Sequence, residues 1–428
     1  MQAFESGIEN SLRFDQPAID EFSEAVSLDD EFALAHAALG RQLFIHGFTD
    51  QCALHLDRAL ELKQQVTRRE RDSIDVIERA ARFDPQAIAM AKAHVANYPQ
   101  DVFVFAHLMG PFGMLAFSGI PDWGVQNVAL LDATRSSYRS DDWWHSATSG
   151  FFAAEQGRLA QARKDCERAW SISENGNCAH SMVHMHFEAG ALDEGRAFID
   201  NWIGEYGDKS QMRHHIAWHT SLLDLESDVD VNETFQLYAR ELDPKISEAT
   251  PLETFCDNAS FLWRSNLCGK EIPANLVEDL YAYGETYFGS GGFAFADIHR
   301  VMATALHNDK KRHEDLLNQL AGVATKKGTQ VADCMVKFAE GFGAFAGGDF
   351  DAAVSILAPL VPDSVLLGGS NLQRRIVEET YLHACLRANQ YDKARAVIEA
   401  RNRKDSDFDT ILLADISTRD ESRPECDE

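Results

Sequence analysis

A chain of 428 residues with 45% apolar side chains can fill two or three compact domains or one extended repeat array, which excludes a disordered protein. A formal net charge of −28 excludes the clustered Lys/Arg surface that neutralises phosphates, so nucleic acid is not an expected partner. No basic leader precedes an apolar core and no run nears the ~20 apolar residues of a spanning helix, so a soluble, cytoplasmic protein with no membrane partner is expected.

Eleven prolines and long helix-period segments with few alternating β-branched runs predict an all-α protein. The first helical pair is expected over 31–45 and 50–62, with Gly47 at the turn and small residues (Ala35, Ala37, Ala38, Gly40) allowing close approach. Thr67 with Glu70 three positions on reads as a capping box. Asp84-Pro85 opens another helix that Tyr98-Pro99 closes. The apolar run 103–117 contains His107 and Gly110-Pro111, so a kinked or broken buried helix is expected there.

Beyond Asp141 a repeat emerges. Segments 144–155 and 159–172 flank Gly157, and segments 179–189 and 192–206 flank Gly190, two turn glycines 33 residues apart. That spacing is close to the ~34-residue period of tetratricopeptide repeats. A third unit, 212–226 with 231–242, follows, and the pattern returns in 337–346 with 352–360 and in 378–387 with 391–400. Segments 252–268, 274–288 and 295–308 are helical but irregularly spaced. The expected architecture is a superhelical α-solenoid of tetratricopeptide-like hairpins over 1–416, followed by a flexible acidic tail, 417–428. Its inner face would be lined by the first helix of each hairpin.

Those first helices carry histidine pairs four residues apart, His180/His184 and His215/His219. Positions i and i+4 lie about 40° apart around a helix, so each pair shares a face, while His186 and His214 point elsewhere. The pairs are one repeat period apart, so four imidazoles would meet if the two helices are neighbours. The same helices are rich in aromatics: Trp143, Trp144, Phe151, Phe187, Trp218 and Trp263. Three uses stay open. The imidazoles are buried hydrogen-bonding groups, or a metal site with an acid from Glu188, Glu226 or Asp297, or acid/base groups kept neutral by mutual repulsion. HExxH is absent, and no residue is assigned to a metal or to any cofactor.

Other signals are weaker. The eight cysteines (52, 166, 178, 256, 268, 334, 385 and 426) show no CxxC spacing and suit reduced thiols; Cys178 reads as packed. No GxSxG nucleophile motif occurs. Gly289, Gly291 and Gly292 read as a linker before a helix. Gly368-Gly369-Ser370-Asn371 opens a helix whose first turn presents Gln373 and Arg374, either an ordinary capped start or a grip on a carboxylate or phosphate.

Taken in order, His180, His184 and His186, then His215, Trp218 and His219, then Asp297 and His299, then Gly368 to Arg374 form a set that resembles the tetratricopeptide repeat protein 38 family. Ala106-His107, and Asp257 ahead of Leu262-Trp263-Arg264, support the likeness, which spans about 34–400. The resemblance implies a helical-repeat fold whose histidines belong to one site. This chain departs where Leu108, Phe187, Ile216 and Arg375 stand in place of the family's acids or amides, which weakens any mechanism that needs a histidine–carboxylate pair.

On this reading His180, His184, His215, His219 and His299 are the catalytic candidates. His107, Trp218, Asp257, Trp263, Asp297, Gln373 and Arg374 are the substrate-binding candidates. The expected function is acid/base or hydrolytic processing of a small-molecule ligand in a histidine-rich site. The rival is a non-catalytic scaffold that holds a peptide or protein, although no periodic Lys/Arg/Asn clamp is present. A homodimer is compatible with the sequence.

Overall fold

The computed structural model describes residues 1–15, 18–226, 231–401 and 407–421. Helices make up 79% of the chain and no strand occurs among the described residues, as the helical period demanded. No described helix is long and apolar enough to cross a membrane. Contacts gather the chain into two compact units, 1–220 with 241–254, and 221–240 with 255–428.

The first unit starts with α1 (Gln2–Arg13), α2 (Ile19–Leu28), α3 (Ala33–Ile45) and α4 (Thr49–Leu62). Gly40 on α3 lies against Leu56 of α4, where an added Cβ would come within 2.9 Å, so a small residue sets how closely this pair packs. Next come α5 (Arg68–Ala81), α6 (Gln86–Asn97) and α7 (Val102–Leu108). Thr67 and Glu70 make the expected reciprocal cap of α5. The run 103–117 is broken as expected, because α7 stops at Leu108 and Gly110 takes φ +92° before Pro111.

Then follow α8 (Trp123–Thr134), α9 (Trp143–Glu155), α10 (Leu159–Ile172), α11 (Gly176–Glu188), α12 (Leu192–Glu205) and α13 (Arg213–Leu225), whose residues from 221 on belong to the second unit. Helices α9 and α10 pack as a hairpin, and so do α11 and α12. Their turns place Gly157 and Gly190 at φ +69° and +71°, a conformation that L side chains rarely adopt. Asp142 caps α9 by accepting from the His145 N–H, and Asn175 caps α11 by accepting from the Cys178 N–H.

The N-terminal segment returns to this region. Asn177 Nδ2 donates to the Leu12 carbonyl at 2.8 Å, Ser210 Oγ to the Phe14 carbonyl at 2.7 Å, and the Gly176 N–H to Asp15 at 3.2 Å. These bonds hold the starts of α11 and α13 against α1.

The second unit holds α14 (Val231–Leu237), most of α15 (Pro251–Leu267), α16 (Ala274–Phe288), α17 (Ala294–His307), α18 (Lys310–Lys327), α19 (Gln330–Ala346), α20 (Phe350–Leu357), α21 (Asn371–Arg387), α22 (Tyr391–Ala400) and α23 (Asp407–Glu421). Trp263, Phe338, Phe342, Leu357 and Ile376 centre its core. Of the segment expected as a tail, 417–421 is the end of α23, and 422–428 lies outside the described residues.

Candidate functional site

Helices α11 and α13 bring their histidine pairs together inside the first unit. The flank of each helix beside its histidine pair carries an apolar residue, Val183 or Ile216, which packs with Ile199 and Trp202 and helps fix the direction in which the histidines face. Ring centroids lie 4.5 Å apart for His180 and His184, 5.0 Å for His180 and His215, and 4.9 Å for both His184–His219 and His215–His219. One nitrogen from each ring lies within 4.8 Å of those from the other three. His184 and His219 are fully buried, His215 is 3% exposed and His180 is 8% exposed, so His180 marks the side nearest solvent.

Aromatic walls close the cluster. Phe151 stacks on His180 and meets His184 edge-on, Phe187 lies against His219, and Trp218 stacks on His215 at 5.2 Å. Burial and the neighbouring His184 and His215 push the His180 pKa well below the usual imidazole value, so its ring is neutral near pH 7. Its Nε2 is buried and has no hydrogen-bond partner in the structure.

Sequence reasoning missed Glu155. Its Oε1 lies 3.1 Å from His184 Nδ1, and the two side chains are 2% and 0% exposed. A carboxylate there accepts the Nδ1–H and leaves the His184 lone pair on Nε2. The signal was present in the repeat register. Glu155 stands two residues before Gly157, as Glu188 stands two before Gly190. Glu155 thus supplies a carboxylate to the cluster from one hairpin upstream.

Other candidates sit elsewhere. His107 lies in the first unit, its Nδ1 bonded to the Phe103 carbonyl and its buried Nε2 unpartnered; it makes no hydrogen bond or ring contact with the four histidines. Its charged neighbour is Arg41, whose pKa burial pushes down to about 10. His186 packs on Phe198, away from the cluster. Cys178 is buried, which pushes its thiol up to about 12 and fits a packed rather than a reactive group.

Asp257, Trp263, Asp297, His299, Gln373 and Arg374 belong to the second unit. Trp263 is a core residue there, donating its Nε1–H to Thr380 Oγ1 at 2.9 Å and stacking on Phe342. His299 bonds the Phe295 carbonyl, and burial pushes its pKa down to about 4 against the raising effects of that bond and of Asp257. Asp297 accepts from the Gly292 N–H and faces Arg300 at 3.6 Å. Ser370 and Gln373 form a capping box, while Arg374 bonds the Gly369 carbonyl and Asn371. The glycine loop before α21 therefore engages both side chains locally. Glu226 also lies in this unit, beside Arg264 and Cys268.

No model of a known protein family matches this chain. The candidate site rests on its own geometry.

Proposed function

We propose that this protein binds and processes a small molecule at the four-histidine cluster, by acid/base or hydrolytic chemistry, on a tetratricopeptide-like helical-repeat framework. The observation that carries this reading is the buried Glu155–His184 pair set among three further imidazoles. Burying four polar rings side by side costs desolvation that an apolar core would avoid, so a purely structural origin is the more expensive one. The repeat framework is supported by the hairpins α9/α10 and α11/α12 and by the 33-residue spacing of their turn glycines. The expected family likeness supports the same placement of the histidines.

In this reading Glu155 fixes the tautomer of His184 and stabilises its imidazolium when Nε2 takes a proton from a water or substrate hydroxyl. His180, neutral and nearest solvent, exchanges protons with the bound molecule. Phe151 and Phe187 exclude bulk water and strengthen each polar contact.

A thermal-shift screen of small polar metabolites against the full chain and its His180→Gln variant tests this. A compound that raises the melting temperature of the wild type, fails to do so in the variant and is converted on incubation supports the reading. Ligands that shift both proteins equally, with no conversion, contradict it.

A further inference from the structure

We propose that His180, His184, His215 and His219 are the four ligands of one divalent transition-metal ion, with Glu155 orienting His184 from behind. The inference rests on the site of the reading above and alters its chemistry: an ion would take the His184 Nε2 lone pair, so the proton acceptor would be a water at the position that His180 yields. It stands on ligand geometry alone, whether or not turnover is found.

Three observations support it. First, each helix presents an i, i+4 histidine pair on one face, the spacing by which a helix offers two imidazoles to one ion. Second, the nitrogens already lie within 4.8 Å of one another. Tetrahedral coordination at about 2.0–2.1 Å separates its ligands by about 3.4 Å, so closing round an ion takes no more than ~1.4 Å of side-chain movement. The rings are also steeply inclined to one another, at 78°, 62°, 85° and 79° for the four nearest pairs, so none of these pairs is stacked face to face. Third, His180 Nε2 is buried without a partner, and an ion supplies one.

The donor set selects the ion. Four neutral imidazoles suit zinc, copper, nickel or iron, and not the oxygen-seeking magnesium or calcium. Glu155 fulfils the requirement that a ligating histidine pass its other N–H to an acceptor. Four protein ligands make a closed site. Metal-activated water would need one imidazole to yield its position, and His180, the most exposed of the four, is the one placed to do so.

The test is a titration of the chelator-treated full chain with CoCl₂, read by visible absorption and by metal content per chain. The expected result is one Co²⁺ per chain with the intense visible band of a tetrahedral nitrogen site, displaced by Zn²⁺. Glu155→Gln should weaken binding about 10- to 100-fold. His219→Gln should abolish the band while the helical circular dichroism persists. Folded wild-type protein that takes up neither Co²⁺ nor Zn²⁺ stoichiometrically overturns the proposal, as does an unchanged band in His219→Gln. If His219→Gln does not fold, the wild-type titration decides alone. Uptake without turnover of any compound keeps the ion and rejects the processing reading. Turnover by protein that binds no ion does the reverse.

Discussion

Glu155 and His184 come from helices α9 and α11, 29 residues apart, and meet at 3.1 Å with both side chains sealed from solvent. Removing the acid leaves a buried imidazole N–H without its acceptor, which costs about 1–3 kcal/mol. Glu155→Ala should lower the urea midpoint accordingly, and Glu155→Gln, which keeps an acceptor oxygen, should lose much less stability but most of the activity. Undiminished activity in Glu155→Gln would show that the pair serves packing alone.

The N-terminal segment should govern the site from a distance in sequence. Its carbonyls and Asp15 take hydrogen bonds from Gly176, Asn177 and Ser210, which sit at the starts of the two histidine helices. Deletion of residues 1–15 should speed hydrogen exchange in the first turns of α11 and α13 and weaken ligand or metal affinity. Exchange confined to the neighbours of α1 outside those turns would argue against the coupling.

Acidification should destabilise the second unit before its carboxylates are protonated. Burial holds His299 and His383 each at about 4, below the ~6.5 of an unfolded chain. The unfolded chain therefore takes up protons that the native one refuses. Stability is fully present above pH ~6.5 and is lost as pH falls towards 4, by about 2 kcal/mol per histidine at pH 5. Urea midpoints at pH 7.5 and pH 5 measure the loss, and His383→Gln should reduce it.

Gly150 on α9 should tolerate no side chain. A Cβ there would stand 2.8 Å from the Cys166 backbone nitrogen on α10, so Gly150→Ala should cost about 1–3 kcal/mol by overpacking. Gly157→Ala meets nothing within 4 Å and should cost only the ~1 kcal/mol of a left-handed residue. Thermal denaturation of the two variants separates steric from conformational cost.

The helical class and the meeting of the two histidine pairs were legible because both follow from the 3.6-residue period. The cap at Thr67 and the break after Leu108 were equally local. Helix α18 was harder to see. Its surface is crowded with Lys310, Lys311, Arg312 and acids, and only Leu316, Leu320 and Ala324 are buried, too thin an apolar stripe to stand out. Trp263 shows the limit for side chains, since an aromatic at helical spacing looks the same whether it lines a groove or, as here, fills a core around Thr380 and Phe342. Gln373 and Arg374 turned back onto their own loop, a choice set by backbone geometry that residue identity does not reveal. Glu155 needed the repeat register to be applied across hairpins, because its partner lies one hairpin away.

The most direct test of the four-histidine centre is elemental analysis of the untagged full chain as purified from cells, beside a His184→Asn/His219→Asn double variant. The account predicts close to one zinc-class ion per wild-type chain and none in the variant. Wild-type protein that is folded, carries no ion and remains metal-free after incubation with Zn²⁺ would contradict it.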